Sequence, residues 1–280
     1  MLQKNEIEML EARARKTRLL ITDMIATAGK GHIGGALSIA DALCVLYFKV
    51  MKIDPKNPRM TGRDRFVLSK GHAGPALYAV LAMRGYFPVE QLKTLNAPGT
   101  NLPSHCDMKR TIGVDMTAGS LGQGISAAVG MALAGRLDKL DYTVYFMVGD
   151  GECQEGEVWE AAMYGGSQKL GNLIGFVDNN GMQIDGSTAD INDVEPLADK
   201  WRAFKWEVFE ADGHDVSSIY DAIRKAQKVV DKPSMIILKT VKGRGVPFAE
   251  GLVASHSMSV TAEDYEAARK LLDYGLEEII

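Results

Sequence analysis

Cysteine is scarce in this 280-residue chain: Cys44, Cys106 and Cys153 stand far apart and form no C-x-x-C pair. That pattern excludes a disulfide framework and a structural zinc site, and it makes a reducing cytoplasm the expected location. No apolar run approaches the roughly 18 residues of a membrane span. The segment from Met1 to Arg18 mixes Glu6, Glu8 and Glu11 with Lys and Arg, where a signal peptide would have an apolar core. Basic tracts are missing too. The 32 Lys and Arg against 36 Asp and Glu leave a net charge of −4, so neither nucleic acid nor an anionic membrane is an expected partner. Low-complexity tracts, internal repeats and linker-like stretches are also absent. What remains, 46% hydrophobic and 24% charged residues, is the composition of a soluble globular protein long enough to bury a large core.

Apolar residues from Ile7 to Ile25 recur at steps of three and four, which predicts a long amphipathic helix ending before Gly29. A second helix is expected over Ser38 to Val50, a buried strand over Arg65 to Ser69, and a helix over Pro75 to Met83. A Pro- and Gly-rich stretch, Pro88 to Gly119, precedes an Ala- and Gly-rich helix from Leu121 to Leu137. Thr143 to Val148 is a continuous β-branched and aromatic run, the signature of a strand covered on both faces. Helices near Val158–Gln168, Val194–Phe204 and Val216–Val230 then alternate with strands Leu173–Val177, Glu207–Ala211 and Met235–Thr240. Such alternation predicts an α/β fold, a parallel sheet flanked by helices, forming one domain over residues 1–280 with an N-terminal helical elaboration.

Ligands of such sheets sit at the carboxyl ends of the strands. Gly29-Lys-Gly31-His32-Ile-Gly34 is a literal G-x-G-x-x-G, but it follows a helix and so reads as a turn from which His32 projects. More telling is Gly149-Asp150-Gly151 at the end of the most hydrophobic strand. The next strand ends Asp178-Asn179-Asn180-Gly-Met182, so adjacent strands deliver a carboxylate and a carboxamide to one crevice. Hard oxygen donors of this kind suit Mg²⁺ or Ca²⁺, with a diphosphate completing the shell.

At these residues the sequence resembles the thiamine diphosphate enzymes, and more narrowly the N-terminal, diphosphate-binding part of transketolase. The matching stretches are Gly29–Gly35, Ser69-Lys-Gly-His72-Ala, Gly119-Ser-Leu-Gly-Gln-Gly124, Gly149-Asp-Gly-Glu-Cys-Gln-Glu-Gly156, Leu170–Ile174 and Ile184-Asp-Gly186. The resemblance implies that Asp150, Asn180 and the carbonyl of Met182 hold the metal, Mg²⁺ or else Ca²⁺ or Mn²⁺. It places Gly149 and Gly151 beside the diphosphate of thiamine diphosphate, with Gly119 and Leu121 lining the cofactor and His72 and His256 reaching it. It assigns His32, His72, His105 and His256 to a substrate channel, where imidazole can bind hydroxyls or move protons. His214 is left without a role.

A full-length transketolase carries further domains, including the one whose Glu faces the cofactor's aminopyrimidine. The resemblance therefore implies a separately encoded C-terminal subunit, two copies of each chain, and sugar or sugar phosphate substrates exchanging a two-carbon ketol unit. Glu155 and Glu160 are expected at the interface between copies, with Glu155 favoured by its place at a helix N-terminus. Two other readings stay open: a relative of 1-deoxyxylulose-5-phosphate synthase, and a cofactor-binding paralogue without turnover. The histidine set and Gln154-Glu-Gly156 favour transketolase over the synthase, and the intact Asp150/Asn180 pair argues against the paralogue.

Overall fold

The chain is described by a computed structural model covering residues 1–273; residues 274–280 lie outside the described residues. Helix α1 (Lys4–Ala28) stops at Gly29, whose φ of 83° turns the chain into strand β1 (Lys30–Gly31). The helix expected over Ser38–Val50 is found as α3 (Ala40–Val45) continued by one π-helical turn (Leu46–Val50), and a short helix α2 (Gly34–Leu37) precedes it. α2 and α3 are separated at Ser38, whose hydroxyl donates to the Asp178 carboxylate at 2.7 Å, a tertiary bond that helical periodicity cannot reveal. There follow β2 (Arg65–Leu68), α4 (Gly74–Met83), α5 (Gln123–Leu137), β3 (Val144–Gly149), α6 (Gly156–Ser167) and β4 (Leu173–Asn179). Then come α7 (Thr188–Ile191), α8 (Leu197–Ala203), β5 (Glu207–Asp212), α9 (Val216–Ala226), β6 (Ser234–Lys239), β7 (Met258–Ser259) and α10 (Ala262–Leu272). Helix α8 begins later than Val194 because Pro196 sits at its N-cap, and α9 ends short of Val230, where the Gln227 side chain turns in to donate to the Tyr145 hydroxyl at 2.8 Å.

Five strands form one parallel sheet in the order β2-β3-β4-β6-β5. Alternate residues serve opposite faces. Phe66, Leu68, Tyr145, Met147, Ile174 and Phe176 join the core made with α1, α3, α4 and α9, whereas Val67, Val144, Phe146, Val148 and Val177 join the core under α5, α6 and α8. Covering on both faces is why these strands read as unbroken apolar runs. Apart from this sheet, β1 pairs antiparallel with β7, Lys30 opposite Ser259 and Gly31 opposite Met258, and α10 packs on α1.

Candidate active site

A cleft of about 350 Å³ opens where β2, β3, β4 and β6 end, bounded by the turns that follow them. Strand β3 delivers Gly149 and Asp150. The Asp150 carboxylate is buried and accepts from the Gly151 N–H at 2.8 Å and the Gly181 N–H at 2.5 Å, which ties the end of β3 to the turn after β4. Burial, aided by the negative Asp178 nearby, pushes its pKa up to about 6. It makes no ion pair among the described residues, so a buried carboxylate faces the cleft with Lys70 and Lys242 as positive neighbours beyond contact distance. The Asn180 carboxamide points its oxygen to the Met182 N–H at 3.1 Å and its nitrogen to Asp178 at 3.0 Å, and Met182 also lines the cleft. Asp178 itself faces inward, bonded by Lys70, Ser38, Thr240 and Asn180. Burial opposes its ionisation, but Lys70 and the hydroxyls outweigh burial and hold its pKa below the usual carboxylate range.

The four histidines His32, His72, His105 and His256 meet in the same cleft. Ring centroids of His32 lie 5.6 Å from His72, 5.3 Å from His105 and 5.4 Å from His256, with His72 and His256 5.0 Å apart. The pairing of β1 with β7 does this work: the supposed G-x-G-x-x-G turn is an anchored strand end, and its partner strand brings His256 alongside His32. Burial lowers the pKa of each ring. For His32, His72 and His256 positive neighbours add to the effect, and His256 falls to about 4. Near neutrality the four rings are therefore uncharged, able to donate and accept hydrogen bonds, and none is tied up in a hydrogen bond to another described residue.

Gly119, Leu121 and Gly151 line the same cleft, as does Glu155 at the N-cap of α6. Glu160 does not; it lies on the exposed side of α6. His214 stands apart, its Nδ1 2.9 Å from Asp41 and its Nε2 accepting from the Val241 N–H at 2.8 Å.

Three further residues of the cleft do not stand out in the sequence. Glu152, 3% exposed, accepts from the Ser69 hydroxyl at 2.5 Å, the Gly122 N–H at 2.9 Å and the Gly149 N–H at 3.0 Å, and so joins three loops. Gly122 can serve this bond because it adopts φ 86°, a conformation that a side chain would strain. Lys70 and Lys242 are both buried and both line the cleft. A lysine directly before Gly-His and another inside Val241-Lys-Gly-Arg-Gly245, each just past a strand, are the signals the sequence offers for them.

The donor set fits a diphosphate with a divalent cation. Among the described residues no cluster of three His, Cys, Asp or Glu side chains forms a cage of its own, so a cation here would rely on the Asp150 carboxylate, an amide oxygen, a backbone carbonyl and oxygens of the ligand. Gly151 leaves the backbone open to close approach, since a Cβ there would sit 3.0 Å from Gln183.

Comparison with known proteins agrees with this geometry. The profile of the family described as transketolase, thiamine diphosphate binding domain, matches residues 10–279. The 6-deoxy-6-sulfo-D-fructose transketolase subunit SqwG of Clostridium sp. is 58% identical over 92% of this chain and 94% of its own length. One of the subunits of the apulose-4-phosphate transketolase of Phocaeicola vulgatus is 39% identical over 98% of this chain and 97% of its own. The crystal structure of transketolase from Campylobacter jejuni superposes with a TM-score of 0.90 at 34% identity, covering 97% of this chain but 44% of that one. The chain thus spans nearly all of the relatives named as subunits and less than half of a full-length transketolase. With its diphosphate-type cleft, parallel sheet and matching profile, the chain belongs to the transketolase family, as a thiamine diphosphate-binding domain.

Proposed function

We propose that this chain is the N-terminal subunit of a two-component transketolase, which moves a two-carbon ketol unit from a ketose donor to an aldose acceptor together with a separately encoded C-terminal subunit. One observation carries the reading: Asp150, Asn180, Met182 and all four channel histidines line a single cleft, although they come from segments spread along the chain. Thiamine diphosphate, when bound, supplies a thiazolium carbon acidic enough to break the bond beside a ketose carbonyl. Asp150, Asn180 and the Met182 carbonyl hold a divalent cation, Mg²⁺ before Ca²⁺ or Mn²⁺, and Gly149 and Gly151 let backbone approach the diphosphate. Gly119 and Leu121 line the cofactor, with His72 and His256 reaching it. His32, His72, His105 and His256, kept neutral by burial, orient sugar hydroxyls and take or return a proton at their free ring nitrogens.

The partner supplies the carboxylate facing the aminopyrimidine, and Glu155, exposed at the edge of the cleft, is placed to meet it across the interface. A pairing of two copies is supported by exposed apolar side chains on α6, Met163 at 58% and Tyr164 at 47%, on the same helix as the exposed Glu160. A cytoplasmic setting suits three free, buried cysteines, and no helix among the described residues is long and apolar enough to cross a membrane. The donor to assay first is 6-deoxy-6-sulfo-D-fructose, after the 58% identical relative, followed by phosphorylated ketoses. The test is ketol transfer by this chain, by its partner and by the mixture, with thiamine diphosphate and Mg²⁺ present. Turnover is expected from the mixture alone; comparable turnover by the isolated chain overturns the two-component reading.

A further inference from the structure

After β6 the chain turns through Val241–Gly245, passing two left-handed glycines, Gly243 at φ 79° and Gly245 at φ 82°, with Val241 and Arg244 exposed to solvent. Within this turn Lys242 is nevertheless buried, its ammonium carried into the cleft to 3.5 Å from the Gln183 carbonyl. A buried cation on a glycine-rich turn does not hold itself in place; the turn needs tethers from outside.

A network outside the cleft supplies them. The Nε2 of His214 accepts from the Val241 N–H at 2.8 Å, so the ring proton sits on Nδ1, 2.9 Å from Asp41 on α3. Arg18 on α1 grips the same carboxylate with both terminal nitrogens and gives its Nε to the Arg244 carbonyl at 3.0 Å. Arg18 and Asp41 are buried and the His214 ring nearly so, which keeps water from competing for these bonds. Burial opposes ionisation of Asp41, but Arg18 and His214 outweigh it and hold its pKa below the usual carboxylate range. One carboxylate thus orients two side chains, and each of them holds a backbone group of the same turn, at its first residue and at its fourth. A further tether, from the Gly243 N–H to the Gly34 carbonyl at 3.0 Å, joins the turn to the start of α2, two residues past His32.

Building on the proposed function, we propose that His214 is a positioning residue for ketol transfer: oriented by Asp41 and aided by Arg18, it fixes the Val241–Gly245 turn so that Lys242 enters the cleft and the backbone behind His32 keeps its place. His214 is not itself a cleft residue. It lines a separate opening with Asp212, Ser218, Thr240 and Arg244, and it acts through the Val241 amide alone. A group misplaced by about 1 Å can cost on the order of a hundredfold in rate, so a tether removed outside the cleft is felt inside it.

The experiment uses the chain with its partner and two substitutions that separate the ring's two bonds. His214→Gln places an amide oxygen where Nε2 stood and keeps an acceptor for the Val241 N–H; His214→Asn places its amide at the Nδ1 position and keeps only the bond to Asp41. Each loses one bond, so a role confined to stability affects both alike. Hydrogen exchange of the 241–251 backbone, followed by mass spectrometry, reads the turn, and kcat at saturating thiamine diphosphate, Mg²⁺ and ketose reads the cleft. His214→Asn should exchange these amides roughly tenfold faster, the worth of one hydrogen bond, and lose roughly ten- to a hundredfold in kcat. His214→Gln should stay near wild type in both. Arg18→Lys, which keeps a cation for Asp41 but gives up the donor to the Arg244 carbonyl, should repeat the asparagine result and stands in should that variant fold poorly. Equal losses of kcat in the asparagine and glutamine variants, unchanged exchange in His214→Asn, or wild-type kcat despite faster exchange each overturns the inference. A wild-type mixture without ketol transfer is a failure of the proposed function instead, and the exchange comparison still decides whether His214 holds the turn.

Discussion

Removing the Glu152 carboxylate tests whether the cleft is held open by one buried residue. Its three donors, the Ser69 hydroxyl and the N–H groups of Gly122 and Gly149, belong to the end of β2, the start of α5 and the end of β3. In Glu152→Ala all three lose their acceptor in a site where the parent side chain is 3% exposed. Hydrogen bonds to a charged group contribute about 1.5–3 kcal/mol each, and orphaned buried donors cost on the same scale. Burial already raises the Glu152 pKa, which marks the cost of keeping a carboxylate there, and deleting it recovers part of the loss. The balance is a destabilisation of about 3 kcal/mol, or about 6–12 °C in melting temperature for a domain of this size. Glu152→Gln keeps the shape and one acceptor but turns an NH₂ toward a donor, so it should lose roughly half as much. Urea unfolding followed by tryptophan fluorescence reads both, and a titration with thiamine diphosphate reads the cleft. A loss below about 1 kcal/mol for Glu152→Ala, the worth of one neutral hydrogen bond, together with unchanged cofactor affinity, would refute the reasoning.

Asp150→Ala should abolish metal-dependent binding of thiamine diphosphate by the chain with its partner; calorimetric affinity equal to wild type would sink the metal assignment. Alanine at His32, His72 or His256 should cut turnover while melting temperature barely moves, because these rings line a cleft and bond to no described residue; a drop of several degrees with normal kinetics would make them structural instead. The depressed pKa of His256, about 4 against 6.5, means that the unfolded chain binds its proton more readily, so stability present above pH 6.5 is lost as pH falls toward 4. His256→Gln should flatten the stability profile over that window relative to wild type, and an unchanged slope would contradict the assignment of a buried, neutral ring.

The sheet and the approach of Asp150 to the Asn179-Asn180 turn were legible because their signals are local. A continuous apolar run marks a strand covered twice, and Gly-Asp-Gly followed one helix and one strand later by Asn-Asn marks adjacent strand ends. The short helix Gly34–Leu37 and its separation from the next at Ser38 were not legible, because Ser38 is bonded to Asp178 far along the chain. Nor was the grouping of the histidines readable from spacing, since a two-residue ladder between β1 and β7 sets His256 beside His32 while His72 and His105 arrive from other turns. The roles of Glu152, Lys70 and Lys242 were hidden for a related reason: a charged residue looks solvent-exposed in sequence until burial and partners are known.

That short ladder has a consequence for the order of events during folding. It joins the first turn after α1 to the segment just before α10, so it is a contact of high sequence separation and must await the return of the distal chain. A nascent chain paused before Met258 can already pair β2, β3 and β4 and set Asp150 near Asn180, yet it lacks the ladder that fixes His256 beside His32. Because His32 and His256 flank the same two rungs, whatever frays that ladder displaces both rings together and leaves the groove beneath them standing.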